Sequence, residues 1–386
     1  MPQSGSDGMA DPNSAEALEE DTEINRGLIV DAALRQKIES LLEGRKSVTI
    51  NDVARLSGLS KKTISRIINN APNVRDETRE YVNEIIRLTK FSPDPQARGL
   101  ALRRSFLIGL IYDNPNAQYV VTMQMGILDK LRGTGNELVV HPCDRNSPDF
   151  ISRVRDFIER QRLSGVIVLP PIAENRDLLA MIEELNLPMI RITARSGEHQ
   201  APPIRVPQIV SLDALGCCEA SEHLVRLGHR RIGFIGGNLA YVSAHERRKG
   251  FEEGLRRHGL TLDPSLDVSG DYSFESGYAA AMQLLQRSDR PTAIISSNDE
   301  MSAGVYKAAY ELNLSIPRDL SVVSFDDSPL AARLSPGLST VRLPVRDIAR
   351  QAAEAVLRPD PGHANYAFRS EFVVRNSTAP VRLIGL

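Results

Sequence analysis

Between Val48 and Asn70, VTINDVARLSGLSKKTISRIINN, apolar residues recur at helical spacing in two short runs separated by a single glycine. Thr49 stands where a helix cap is wanted, and Val53, Ala54 and Leu56 follow as the inward face of a first helix. Gly58 supplies the backbone freedom of a tight turn. Ser60 is placed to cap a second helix that starts at Lys61 and carries Ile64, Ile67 and Ile68 inward. Lys61, Lys62, Ser65, Arg66 and Asn69 are left on the outer face. Long cationic and amide side chains near the start of such a helix reach the base edges and phosphates of a major groove. On charge and spacing alone, a solvated surface helix in a three-helix cap is the alternative. A third helix starts in the stretch Asn73 to Thr78 and continues through Tyr81, Val82, Ile85, Ile86 and Leu88 to Lys90, closing a small core. Beyond it, residues 91–105 form a proline-punctuated linker with a short, weak helix between two basic ends, in which Leu100 has no obvious core to enter.

From Phe106 onward short apolar runs alternate with helical stretches. The spacing predicts strands over Leu107–Tyr112, Glu137–His141, Gly165–Leu169, Met189–Thr193, Ile209–Leu212, Ile232–Ile235, Ala293–Ser296 and Ser321–Phe325, most of them followed by a helix. Such alternation with β-branched runs means parallel sheets covered on both faces, and the number of strands suggests two. Ligands of open α/β sheets sit at the carboxyl ends of the strands, so the residues just after each run are the ones to inspect.

Composition narrows the class. At 386 residues and 41% hydrophobic content, more than one domain is expected. No apolar run approaches a membrane span and the N-terminus lacks the pattern of a signal peptide, so a cytoplasmic protein is expected. The three cysteines, Cys143, Cys217 and Cys218, are expected as reduced core thiols. Net charge is −2, but residues 1–43 hold three basic and ten acidic side chains, whereas residues 44–105 hold thirteen basic and six acidic. A basic segment confined to the helix-turn-helix and linker is the footprint of nucleic-acid binding. The first 23 or so residues, rich in Asp, Glu, Ser, Gly and Pro, are expected to be disordered, and residues 28–43 have helical spacing suited to docking. The acidic extension either competes with phosphates for the basic face or is an inert solubilising tail. Enzymatic readings find little support. The glycines of Phe234-Ile235-Gly236-Gly237-Asn238 lack the spacing of a dinucleotide fingerprint, and neither a P-loop, nor a nucleophile elbow, nor paired metal ligands appear, so no cofactor is expected.

Residues 48–105 resemble the headpiece and hinge of the LacI (lactose-repressor) family of bacterial transcription regulators. The pattern VT-x-x-DVA-x-x-x-G-x-S-x-x-T-x-SR-x-x-N is highly specific to that family, and Val48 to Asn69 carry each of its named residues. The resemblance continues through His223-Leu224-x-x-Leu227-Gly228-His229-Arg230-Arg231-Ile232, Asn298-Asp299-Glu300-Met301, Ser321 to Asp327 and Leu338 to Val341. It implies an all-α helix-turn-helix headpiece plus an α/β periplasmic-binding-protein-like effector domain of two Rossmann-like lobes. The implied boundaries are an acidic extension at 1–45, the headpiece at 46–92, the hinge at 93–105 and the effector and dimerisation domain at 106–386. Lobe 1 would take about 106–193 and 342–360, lobe 2 about 194–341 and 361–386, with crossings near 194, 341 and 362.

The resemblance also implies roles. Lys61, Lys62 and Arg66 would face bases, and Thr49, Ser65, Asn69 and Thr78 would hold phosphates. Ala97 and Leu100 would enter the minor groove, with Leu100 as a wedge that bends the duplex. Asp94 departs from the family's usual asparagine, and Gly99 makes the short hinge helix about 1 kcal/mol less favourable than alanine would; the hinge is expected to order on DNA. Ser243, Arg247, Tyr272, Asn298 and Asp326 match effector-contacting positions, and their chemistry suits a polyol. In the first lobe, Leu169, Thr193 and Leu343 replace polar residues of sugar-responsive relatives, leaving Tyr112, Asp113, Asn114, Tyr119 and Arg191 to compensate. Gly228 fits a helix C-cap, and His229 a structural role at a strand entry. The expected protein is a homodimeric repressor, not an enzyme, bound to a pseudo-palindromic operator on the nucleoid and controlled by a small carbohydrate or related metabolite.

Overall fold

A computed structural model describes residues 30–43, 48–68, 73–91, 105–194, 206–359 and 365–381. Two units emerge, Met1–Arg103 and Arg104–Leu386.

In the first unit, α1 (Ala32–Glu43) precedes α2 (Ile50–Ser57), α3 (Lys61–Ile68) and α4 (Asp76–Thr89). Thr49 closes a capping box on α2: the Asp52 amide donates to its Oγ1 (3.4 Å), and the Thr49 amide donates to Asp52 Oδ2 (3.0 Å). Gly58 follows α2 at φ 71°, the left-handed conformation that lets the chain turn into α3. Thr63 N–H donates to Ser60 Oγ at 3.1 Å, the predicted cap. Val53, Ile64, Ile67, Val82 and Ile85 form the core, as the spacing required. The docking segment of the extension is α1, whose Ile38 is buried and whose Leu34, with Val30, packs on that same core. Truncating Ile38 to alanine removes about 2 kcal/mol of packing. The expected result is a fall of roughly 30-fold in hydrogen-exchange protection at the Val53 and Val82 amides in the full chain, with no fall for the exposed Leu42→Ala.

The second unit is built from β1 (Leu107–Tyr112), α5 (Ala117–Leu131), β2 (Glu137–Pro142), α6 (Phe150–Gln161), β3 (Gly165–Val168), α7 (Arg176–Glu184), β4 (Met189–Ala194) and β5 (Gln208–Leu212). It continues with α8 (Asp213–Arg226), β6 (Ile232–Gly236), α9 (Val242–Arg256), β7 (Asp267–Ser269), α10 (Phe274–Leu285), β8 (Ala293–Ser296), α11 (Asp299–Glu311), β9 (Ser321–Asp326), α12 (Pro329–Arg333) and β10 (Ser339–Arg342). Last come α13 (Val345–Leu357), β11 (Asn365–Arg369) and β12 (Glu371–Val373). One sheet has the order β11-β5-β4-β3-β1-β2 and is parallel throughout; the other runs β12-β10-β9-β8-β6-β7 with only β12 antiparallel. All eight predicted strands form.

The lobe boundaries differ from expectation. β5 pairs with β4 in parallel, Arg191 opposite Gln208, and β11 pairs with β5, so residues 208–212 and 365–369 extend the first sheet. The chain therefore passes to the second lobe at Asp213, not near 194, and again at Ser370, not near 362; the remaining passage follows β10. Adding parallel strands to an existing edge satisfies their backbone groups at once, which an early crossing would have left unpaired. Ser370 makes its passage tight: its hydroxyl accepts from the Gly216 amide (3.2 Å) and donates to the Leu212 carbonyl (3.0 Å). Four strands escaped the apolar pattern. β7, β11 and β12 are short edge strands, and β10 is a buried strand whose Ser339 and Thr340 are satisfied by Ser377 and Asp299.

His229 is buried between Thr292 (2.9 Å) and Ser321 (3.1 Å), and burial lowers its pKa, as befits a structural group. Gly228 ends α8 at φ 90°. The three cysteines are free thiols.

Candidate functional site

Two surfaces carry the chemistry. On α3 the alternation that buries Ile64 and Ile67 leaves Lys61, Lys62 and Arg66 exposed on the opposite face, with Ser65 half-buried between. Thr78 is half-buried in the first turn of α4, where the helix N-terminus favours anions. Thr49 lies at the start of α2, its hydroxyl donating to Asp52 at 2.7 Å. Arg55 is also exposed, but it holds Asp52 at 2.6 Å. Asn69, Ala97 and Leu100, with Asp94 and Gly99, lie outside the described residues.

The second surface is a cleft between the two sheets' lobes, with about 610 Å³ of empty space, part of it open to solvent. Arg247, on α9, is its centre. Its guanidinium lies over the Phe325 ring at 3.7 Å. Its Nε donates to Asp213 Oδ2 at 2.9 Å, its Nη1 donates to the Ser297 carbonyl, and its Nη2 stands 3.7 Å from Asp326. Burial alone would depress its pKa, but Asp213 and Asp326 outweigh that and hold it above its ordinary value. Asp326 ends β9 at φ 110°, a conformation few side chains adopt. Burial pushes its carboxyl up to about 7, Arg247 opposing and Asp299 and Asp213 adding to the rise. Across the cleft, the Asn116 amide donates to Asp326 Oδ2 at 3.1 Å while its Oδ1 accepts the Tyr119 amide as the N-cap of α5. Asn116 thus ties the helix start of one lobe to the strand end of the other.

Of the other expected effector residues, Ser243, Tyr272 and Tyr119 line the cleft. Tyr272 sits at φ 74°, its ring laid against Gly237, where a β-carbon would collide with it, and edge-on to Tyr241 at 5.5 Å. Burial is the main cause of its raised pKa. Asn298 does not line the cleft. It is fully buried, caps α11 by accepting from Met301 N (2.9 Å), and donates to the Tyr272 carbonyl (2.9 Å), so its amide is engaged by the fold. Arg191 also departs from expectation. Side chains alternate along β4, so Ile192 and Ala194 face the cleft while Arg191 and Thr193 point to the other face, where both engage Glu174. Leu169 is core, whereas Leu343 and Asn114 do line the cleft. Asp113 instead pairs with Arg145 at 3.7 Å, and Arg145 lies 5.1 Å from the Tyr241 ring centre, spanning the two lobes.

Sequence reasoning missed Asp213, Asn116 and Tyr241. Asp213 had a signal: it directly follows a predicted strand. Its Oδ1 is buried without a hydrogen-bond partner, so one polar atom in the cleft lining awaits one. Among the described residues, no cluster of metal-ligating side chains occurs and no helix is long and apolar enough to cross a membrane.

Known proteins match both parts of the chain. The family described as bacterial regulatory proteins, lacI family, matches residues 49–94, and a periplasmic binding protein-like domain matches residues 221–378. A probable HTH-type transcriptional repressor ExuR of Bacillus subtilis (strain 168) is 28% identical over 342 residues, covering 86% of this chain and 98% of the relative. The crystal structure of the lac repressor dimer bound to operator and the anti-inducer ONPF is 28% identical, with a TM-score of 0.69, covering 86% of this chain and 100% of the other. A transcriptional regulator CelR–cellobiose complex is 25% identical, with a TM-score of 0.63, covering 86% and 99%.

Proposed function

The chain belongs to the LacI family of bacterial transcription regulators, and on that premise we propose that it is a homodimeric repressor released from, or held on, a pseudo-palindromic operator by a small carbohydrate in the cleft. The observation that carries this reading is the pairing, in one chain, of an exposed basic helix-turn-helix face with a cleft whose Asp213, Arg247 and Asp326 suit adjacent hydroxyls. The lac repressor dimer on operator and the regulator holding cellobiose supply the precedent. Lys61, Lys62 and Arg66 read bases; Thr49, Ser65, Asn69 and Thr78 hold phosphates; Ala97 and Leu100 enter the minor groove. Ser243, Arg247, Tyr272, Asp326 and Tyr119 contact the effector, joined by Asp213. The headpiece spans 46–92 and the hinge 93–105, following the acidic extension. An apolar stripe on α5, Val121, Met125 and Leu128, each about 46–47% exposed at successive turns, supports the second copy of the chain. The protein works in the cytoplasm on the nucleoid, as a regulator and not as an enzyme.

Titration of the full chain against its own promoter region tests the reading. Binding should weaken steeply with salt, as counterion release demands, and shift when the effector is added. Salt-insensitive binding would overturn it.

A hydroxyl-donating ligand binds the ionised Asp326, whose carboxyl is raised to about 7 by burial first. Effector affinity should therefore rise as pH increases toward that value, by up to about tenfold per unit, and level off above it. The protein should release a proton on binding near neutrality, which calorimetry in buffers of different ionisation enthalpy reads directly. For stability the sign is opposite. The folded state holds this proton more tightly than the unfolded chain, so the contribution is complete below the ordinary carboxylate range and lost as pH rises through about 7.

A further inference from the structure

The helix α1 precedes the stretch that matches the lacI family, which begins at residue 49. Its Ile38 is buried and its Leu34 packs on the headpiece core, so α1 is fastened to the unit that carries α3. Two charged contacts set its direction. Arg35 stands 3.8 Å from Glu84 on α4, and one turn earlier the Asp31 carboxylate adds to the rise that burial gives the Tyr81 pKa. The step from Asp31 to Arg35 thus follows the step from Tyr81 to Glu84, which brings the start of α1 toward the start of α4, one turn from Thr78. Asp31 Oδ1 accepts the Leu34 amide at 2.7 Å and fixes the point where the preceding chain joins the helix.

The preceding chain is acidic. Residues 16–23 carry Glu16, Glu19, Glu20, Asp21 and Glu23 and no basic residue. The outer face of α3 carries Lys61, Lys62 and Arg66, all exposed, and none of them pairs with a carboxylate among the described residues. Arg55 on α2 and Arg87 on α4 are instead held by Asp52 and Glu84. Reach is no obstacle: α1 packs on α2 and α4, and both pack on α3. Packed helices lie about 8–10 Å apart, whereas the chain from Glu23 to Asp31 can span up to about 28 Å.

We propose that residues 16–23 are an intramolecular competitor for DNA, anchored by α1 beside the phosphate-facing start of α4, with their carboxylates on Lys61, Lys62 and Arg66 until a duplex displaces them. The proposal rests on the DNA-binding reading above and adds a regulation of that face. Exposed ion pairs are individually weak and screened, but a short tether holds the carboxylates at about millimolar local concentration. Such a competitor lowers specific and non-specific affinity by one factor, and the weaker non-specific complexes are the ones it abolishes.

The test compares the full chain with a variant carrying Glu16→Gln, Glu19→Gln, Glu20→Gln, Asp21→Asn and Glu23→Gln, which leaves α1 and the headpiece core intact. At about 50 mM salt the variant should bind the promoter region and a scrambled duplex about tenfold more tightly, and by about 300 mM the gap should close to less than twofold. Without DNA, the amide resonances of residues 61–66 should differ between the two proteins at low salt and converge at high salt. That second measurement reads contact, because a change in net charge alone raises DNA affinity and leaves those amides where they were. Equal affinities at low salt, or tighter binding with unmoved α3 amides, would overturn this inference and leave the DNA-binding reading standing. Salt-insensitive binding, or none, by both proteins would overturn both.

Discussion

Arg66→Ala is expected to weaken operator binding at least about 30-fold, with effector affinity and the melting temperature of the second unit unchanged. Arg66 is exposed on α3, on the face opposite Ile64 and Ile67, so its removal leaves the headpiece core intact. A bidentate arginine contact to a guanine edge is worth about 1–3 kcal/mol, and a dimer makes it in both half-sites, so roughly 2–6 kcal/mol is at stake. Because the contact reads a base, the loss should be confined to the correct operator, and discrimination at one base pair per half-site should relax. Arg55→Ala is the matched control: it removes another exposed guanidinium of the same unit, but one already bound to Asp52. A gel-shift series in which Arg55→Ala and Arg66→Ala lose affinity equally, on correct and scrambled operators alike, would show only a general electrostatic effect.

The second large effect is expected at Asp326. Asp326→Asn keeps the shape of the side chain, and asparagine tolerates positive φ better than most residues, so the backbone at φ 110° is preserved. What disappears is the charge. Charge-assisted hydrogen bonds are worth about 1.5–3 kcal/mol each, so effector affinity should fall by roughly 10- to 100-fold. The rise of affinity toward neutral pH should vanish with it, because the group that titrates is gone. Operator affinity without effector should stay within about twofold, since the carboxylate lies in the second unit and the DNA-reading face in the first. Loss of operator binding and effector response together would mean that Asp326 holds the fold. Asn116→Ser, which keeps a capping oxygen for α5 but cannot reach Asp326, separates ligand binding from its transmission: the effector should still bind while its influence on the operator falls.

The elements were largely legible because their causes are local. The capping box at Thr49 and Asp52, the turn at Gly58 and the three buried isoleucine and valine positions of α2 and α3 all lie within a few residues of one another. The apolar strands were legible for the same reason, and the polar or edge strands β7, β10, β11 and β12 were not, because their stability comes from neighbours and not from their own residues. The site was half legible. Arg247, Tyr272 and Asp326 follow helix starts or strand ends and stand in the cleft. Arg191 and Asn298 occupy comparable places in the sequence, yet strand alternation turns one away and helix capping occupies the other.

By itself, the sequence determined that this chain holds a DNA-reading helix-turn-helix and two parallel sheets, because helix caps, turns and hydrophobic periods act over one or two turns of chain. Only the tertiary structure decided which lobe owns β5 and β11, that Asp213 shares Arg247 with Asp326, and that Asn116 reaches Asp326 across 210 positions of sequence. Those pairings depend on where separate elements come to rest against each other. A side chain's partner in a cleft is set by the packing of distant strands, and no spacing along the chain records it.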